Sequence, residues 1–133
     1  MQNVPDVKIG LIAVSRNCFP AALSQQRRVR VAEACRARQL PVVELQTLVE
    51  TERDVLAALD EIARAGINAL VVYLGNFGPE GPTSLLVERF PGPVMVAAAA
   101  EESGHDLIDG RGDAFCGMLN LSYNLGLRRL HPH

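Results

Sequence analysis

The feature that most constrains this chain is a repeated change of period, in which short β-branched runs alternate with longer stretches of helical pattern. Residues 7–14 (VKIGLIAV) form an almost continuous apolar run, as expected of a strand buried on both faces. A helix follows over Ala21–Arg38, entered through Pro20, whose fixed φ suits a helix start. Pro41–Leu45 reads as a second strand. Thr51 and Asp54 form a capping box, the hydroxyl accepting from the N–H of Asp54 and the carboxylate reaching back. Val55, Leu59 and Ile62 then share one helical stripe, and Gly66 ends that helix because the left-handed conformation costs glycine little. Ala69–Leu74 and Pro93–Ala98 read as the third and fourth strands, with a short helix around Thr83–Arg89 between them. Asp113 is placed to cap a last helix, with Ala114, Met118, Leu121 and Leu125 inward and Gly126 as its stop.

Alternation with connections this short implies parallel strands joined by right-handed crossovers. The expected fold is α/β: a three-layer α/β/α sandwich with a parallel, flavodoxin-like (Rossmann-like) sheet of four to five strands, the first strand central. Leu127–Leu130 looks like the lead-in to a fifth strand, truncated or incomplete, and gives the chain the look of a fragment. With 133 residues and no repeats or linkers, residues 1–133 read as a single domain large enough to bury a core. The 48% hydrophobic and 21% charged fractions exclude disorder and fibre. A net charge of -2 with the two signs interspersed gives no footprint for nucleic acid or an anionic membrane. The densest basic run, Arg27–Arg30, reads as a solvated helix face. No apolar run approaches the ~20 residues of a membrane span, and the amino terminus lacks a secretory pattern. Three cysteines without a spaced framework read as free thiols in a reducing cytoplasm.

In open parallel sheets, ligands bind beyond the carboxyl ends of the strands. That rule selects three loops: 15–20, 75–82 and 99–113. The first offers Ser15, Arg16 and Asn17. The second is rich in turn formers and presents Asn76, Phe77 and Glu80. The third gathers charge, including Glu101, Glu102, His105 and Arg111, ahead of a helix. Arg16 can bind a substrate hydroxyl or carboxylate, or pair with Glu101 or Glu102 across the rim. Phe77 can stack on a ligand or cover the core edge. Glu101 and Glu102, being adjacent, point apart and read as solvated acids more readily than as an acid/base pair. Arg111, beside the free N–H groups of a helix start, suits an anion or polar group, or anchors the loop. Cys116, in a first helical turn without a nearby histidine, reads as a packed structural thiol; Cys18 has no support as a nucleophile, and His105 and the His131–His133 tail read as surface.

Absent motifs narrow the chemistry. Gly75, Gly78 and Gly81 are spaced GxxGxxG after the third strand, which is not the dinucleotide fingerprint. Neither a GxxxxGK[ST] loop nor a GxSxG elbow is present. The first loop lacks the hydroxyl and glycine run of a flavin-phosphate cradle, and the acids of a receiver domain are replaced by Ser15–Arg16 and Gly75–Asn76.

KIG at Lys8–Gly10, YLGNFGPE at Tyr73–Glu80, AAAEESG at Ala98–Gly104 and GRGDAFCGMLNLSYNL at Gly110–Leu125 together resemble one family. They are similar to the amino-terminal domain of the L-fucose/L-arabinose isomerase-like proteins, nearest the fucose-isomerase-like branch, over about Val7 to Arg129. The resemblance implies carbohydrate metabolism: an aldose–ketose isomerase that shifts a proton between C1 and C2 through an enediol, with a divalent metal, usually Mn2+. It places the catalytic acids and metal ligands on later domains of a longer protein, so that this chain carries no catalytic residue and no cofactor and is inactive alone. It also implies a homo-oligomer in which the loops of this domain complete the sugar pocket of a neighbouring subunit. By position, Arg16 matches a substrate-binding arginine of the family and Phe77 an aromatic residue over the sugar. Asn17, Asn76, Glu101 and Arg111 join the expected substrate-binding set from their place on the rim. The alternative is a non-catalytic sugar-binding or sensing module on the same fold, or an assembly domain whose rim meets a partner.

Overall fold

The computed structural model describes residues 3–101 and 111–132. Strand β1 (Ile9–Val14) is paired on one side with β2 (Val42–Val49) and on the other with β3 (Ala69–Leu74), and β4 (Val94–Ala98) extends the sheet beyond β3. All pairings are parallel and the order is β2-β1-β3-β4, with β1 inside the sheet. Helix α1 (Ala21–Ala37) packs on β1 and β2 from one face. Helices α2 (Glu52–Ala65), α3 (Glu80–Arg89) and α4 (Ala114–Leu127) lie side by side on the other, α2 over β2 and α4 over β4. This is the three-layer, flavodoxin-like α/β/α arrangement. Leu11, Ile12, Val14, Leu70, Val72 and Leu74 are almost wholly buried, which is why β1 and β3 read as continuous apolar runs and not as alternating ones.

Several boundaries differ from the sequence reading, each for a local reason. β2 runs on to Val49, past a register irregularity opposite Leu11–Ala13, because Val49 is fully buried and its carbonyl accepts from the N–H of Ser15 at 2.9 Å. Helix α3 begins at Glu80, three residues before Thr83, since Pro79 supplies the extended cap residue and its carbonyl accepts from Thr83 N–H. In α4 the close-packed inward position goes to Gly117, while Met118 is only half-buried. Gly126 does not stop this helix, which continues to Leu127; the left-handed residue that turns the chain is Arg129. Leu127–Leu130 forms no strand: Arg128 caps the helix and the Leu130 N–H closes on the Leu125 carbonyl. Among the described residues the sheet therefore has four strands.

The entry to α2 forms as read, with unequal halves. Asp54 Oδ2 accepts from Thr51 N at 2.8 Å and from Glu50 N at 3.1 Å, whereas Thr51 Oγ1 accepts from Asp54 N at 3.4 Å. Gly66 closes the same helix at φ 65°. Partial burial pushes the Asp54 carboxyl up, but the hydrogen bonds from Thr51 and Glu50 and the nearby Arg53 outweigh it, so the group titrates below the ordinary carboxylate range. Removing a cap costs about 0.5–2 kcal/mol. Asp54→Ala should fall near the top of that range and Thr51→Ala near the bottom, read as the difference between their urea unfolding free energies; equal costs would show that the carboxylate half is not the stronger.

Candidate functional site

The carboxyl ends of β1, β3 and β4 open on one rim, and the first two loops are joined there through a buried amide. Asn76, fully buried at the end of β3, uses all four of its hydrogen-bonding positions. Its Nδ2 donates to Ser15 Oγ at 2.9 Å and to the Pro20 carbonyl at 3.3 Å; its Oδ1 accepts from the backbone N–H groups of Arg16 and Gly78, each at 3.2 Å. Asn76 thus fixes where the backbone of Arg16 leaves β1 and how the chain turns after Phe77. Of its immediate neighbours, Ser15 is buried as well and Asn17 is exposed at the tip of the first loop.

Above this clamp Arg16 lies over the ring of Phe77, its guanidinium carbon 4.7 Å from the centroid. Phe77 in turn stacks on Phe19, with centroids 5.7 Å apart and planes 12° from parallel. Arg16 Nη2 donates to Glu80 Oε2, so among the described residues its carboxylate partner is at the start of α3 and not Glu101. Arg16 and Phe77 each keep part of their surface open. The result is a small platform of stacked rings, guanidinium and carboxylate, in which Arg16, Phe77 and Glu80 stay half-buried. Sequence reasoning named Arg16, Phe77 and Glu80 but not their contact, and it missed Phe19. The FP pair closing the first loop was the available signal, since a proline after an aromatic residue holds that residue at the loop's exit.

The second and third loops are joined from α1. Arg27 and Arg28 are each only 4% exposed, so the basic run is not a solvated face. Arg27 donates to the Gly75 carbonyl at 2.7 Å and to Glu101 Oε2 at 3.2 Å; Arg28 Nε donates to Glu44 Oε1 at 2.9 Å. The overlooked signal was periodicity, because Arg27 and Arg28 share the inward stripe of Ser24, Val31 and Ala32. Glu101 is exposed, as expected of a solvated acid, but it is also tied: the N–H of Gly112 donates to both its carboxylate oxygens, at 3.2 and 3.3 Å. Partial burial pushes its carboxyl up, but the Gly112 N–H, Arg27 and the Asp113 N–H together outweigh it and hold the group below the ordinary carboxylate range. Glu102 and His105 lie outside the described residues.

Arg111 is exposed and donates to Asp113 Oδ1, which takes up the carboxylate expected to cap α4. Asp113 sits at φ 50° with no side-chain cap bond, so Arg111 acts here as a loop anchor within its own segment. Gly117 of α4 packs on the rim itself: a Cβ there would lie 1.8 Å from the Phe77 carbonyl oxygen, so only glycine admits this approach. Cys116, expected to pack, is exposed, and Cys18 and Cys35 are free thiols too. Beside Arg27 a hollow of about 230 Å³ is lined in part by Val31, Tyr73 and Ala99. It is smaller than the ~300–1,000 Å³ of a complete small-molecule pocket. Among the described residues no three His, Cys, Asp or Glu side chains are grouped to hold a metal ion. No described helix is long and apolar enough to cross a membrane.

The family described as fucose/sulfoquinovose isomerase, N-terminal domain, matches residues 10–133. The chain belongs to this family. Neither the curated proteins nor the solved structures give a match. The family match spans both clamps, from Gly10 before the Ser15–Asn76 pair to the α4 helix that backs Phe77.

Leaving a buried donor without its acceptor costs about 1–3 kcal/mol. Glu101→Ala should fall in that range in urea unfolding, below the loss for a fully buried pair, because Glu101 itself is open to water. The Glu101 contribution is fully present above the unfolded carboxylate value and is lost as pH falls through its depressed folded value. Thermal scans from neutral to strongly acid pH should show Glu101→Gln losing less stability on acidification than the parent chain. Parallel curves for the two proteins would rule out this pair as an acid-labile tie.

Proposed function

We propose that this chain is the substrate-completing domain of an aldose–ketose isomerase, contributing the Arg16–Phe77 platform to a sugar pocket shared with further domains and with a neighbouring subunit of a cytoplasmic homo-oligomer. The observation that carries the reading is the partly exposed Arg16–Phe77 pair on the strand-end rim of a member of the isomerase N-terminal family. A sugar presents C–H bonds on one face and hydroxyls at its edge. The part of Phe77 that Phe19 and Arg16 leave open suits the first, and Arg16, with Glu80 beside it, suits the second. Asn76 and Glu101 then serve by position: Asn76 sets the backbone under both platform residues, and Glu101 with Arg27 holds the loop behind them. Asn17 and Arg111, exposed on the same rim segments, are placed to meet outer hydroxyls or a partner chain.

The isomerisation itself is assigned to none of these residues. The resemblance attaches it to a divalent metal, expected as Mn2+ in the longer protein, but the described side chains do not form a site that fits one. What this domain does is hold the substrate's orientation and exclude water from one side of it.

Two measurements test the reading. The purified 133-residue chain, supplied with manganese and a 6-deoxyhexose or pentose, should form no ketose; turnover by this chain would sink the division of labour. In heteronuclear spectra the same sugars should shift Arg16 and Phe77 resonances with an affinity in the millimolar range, about -4 kcal/mol, as befits half a pocket. Phe77→Leu should abolish the Arg16 shifts, whereas shifts confined to surfaces away from the rim would count against the platform.

A further inference from the structure

The arginines of the rim are matched one for one by carboxylates. Arg16 pairs with Glu80, Arg27 with Glu101 and Arg111 with Asp113. A further acid approaches the first of these pairs. Glu52, in the first turn of α2, has Oε1 3.8 Å from where a Cβ on Gly81 would stand, next in sequence to Glu80. Arg53 of the same turn acts on Asp54. The backbone that carries Glu80 is held, since Pro79 supplies the extended residue before α3 and Pro82 falls within its first turn. The Arg16–Glu80 pair is half-exposed and adds little to stability. Its weight therefore falls on what the platform admits, and less on folding.

We propose that Glu80 is a specificity-determining residue of this half-pocket and restricts the platform to uncharged sugars, refusing those that carry a sulfonate or phosphate. The proposal rests on the sugar-pocket reading above and names the substrate class within it. Hydrogen-bond polarity is its first support. A guanidinium only donates and an ionised carboxylate only accepts. Held side by side, Arg16 Nη2 and Glu80 Oε2 offer one donor and one acceptor. A hydroxyl donates and accepts, so it answers both groups at once. A sulfonate or a phosphate dianion presents acceptor oxygens alone. To reach Arg16 it must displace Glu80, which leaves that carboxylate half-buried, without its cation and beside a second negative charge. Charge is the second support. Glu52 adds its repulsion from the neighbouring helix start, and the other two rim arginines already have their own carboxylates. Placing like charge against the wrong ligand is a general route to specificity, and here it costs the right ligand nothing.

Heteronuclear titrations of the 133-residue chain at fixed ionic strength test this with 6-deoxyglucose, its 6-sulfonate and glucose 6-phosphate, which share one ring and differ at C6. The neutral sugar should shift the Arg16 and Phe77 resonances, and both anions should bind there about tenfold more weakly. Glu80→Gln keeps an acceptor beside Arg16 but removes the charge. It should weaken the neutral sugar slightly and strengthen both anions by about tenfold, so that the preference is lost or reversed. An anion that binds the parent rim as tightly as 6-deoxyglucose overturns the proposal and leaves the platform standing. If none of the three sugars moves the rim resonances, the platform falls and the proposal with it. A preference that Glu80→Gln leaves unchanged overturns the assignment to Glu80. The parent's own ratio of affinities needs no variant, so the selection is tested even where the substitution disturbs folding.

Discussion

A guanidinium buried to 4% exposure, that of Arg27, is the constraint around which the rim is arranged. Taking such a cation out of water costs several kcal/mol, and the cost is recovered only where its donors all find acceptors at good geometry. Arg27 meets the Gly75 carbonyl and the Glu101 carboxylate, which belong to the loops after β3 and β4. Neither loop can shift far without stranding the charge. The helix on one face of the sheet thereby fixes the relative position of two loops that it does not itself contain. Glu101 carries the constraint onward to the backbone of Gly112, one residue from the left-handed Asp113 that starts α4.

Phe77 inherits its placement from these ties. Its loop is held at Gly75 by Arg27 and at Asn76 by Ser15 and Pro20, while α4 presses on its own carbonyl through Gly117. Only the ring remains to be oriented, and the stack on Phe19 with the cation above it does that. A contact surface built this way has little conformational freedom left to lose on binding, which is the economy expected of a preorganised site.

The fold was legible because its signals are local. Continuous apolar runs marked β1 and β3, and Thr51 with Gly66 bounded α2 from sequence alone. The site was legible only as a set of loops. Arg16, Asn76, Phe77 and Glu101 all sit where the strand-end rule puts them, yet their partners are set by tertiary contacts that no spacing encodes: Glu80 lies 64 residues from Arg16, and Glu101 lies 74 from Arg27. Adjacent arginines suggested solvent because charge normally seeks it, and only the inward helical stripe argued otherwise. The fifth strand failed for a similar reason. Leu127–Leu130 has a strand-like composition, but the helix ahead of it continues through Gly126, and the Leu130 N–H is already spent on the Leu125 carbonyl.

Two arginines on one rim, each with a carboxylate, play opposite parts because their burial differs. The side chains of Arg16 and Glu80 are 30% and 36% exposed, and a pair so well hydrated is worth about 0–1 kcal/mol. Under the proposed function, a sugar hydroxyl that accepts from Arg16 while donating to Glu80 would replace that pair at little cost, since both charges would keep a partner. Arg27 has no such freedom. Its side chain is 4% exposed, and parting it from Glu101 would leave a buried charge with a single acceptor. Burial therefore separates a pair that a ligand could displace from the pair that holds the loops in place, and under the proposed function the rim can exchange the first only because the second does not let go.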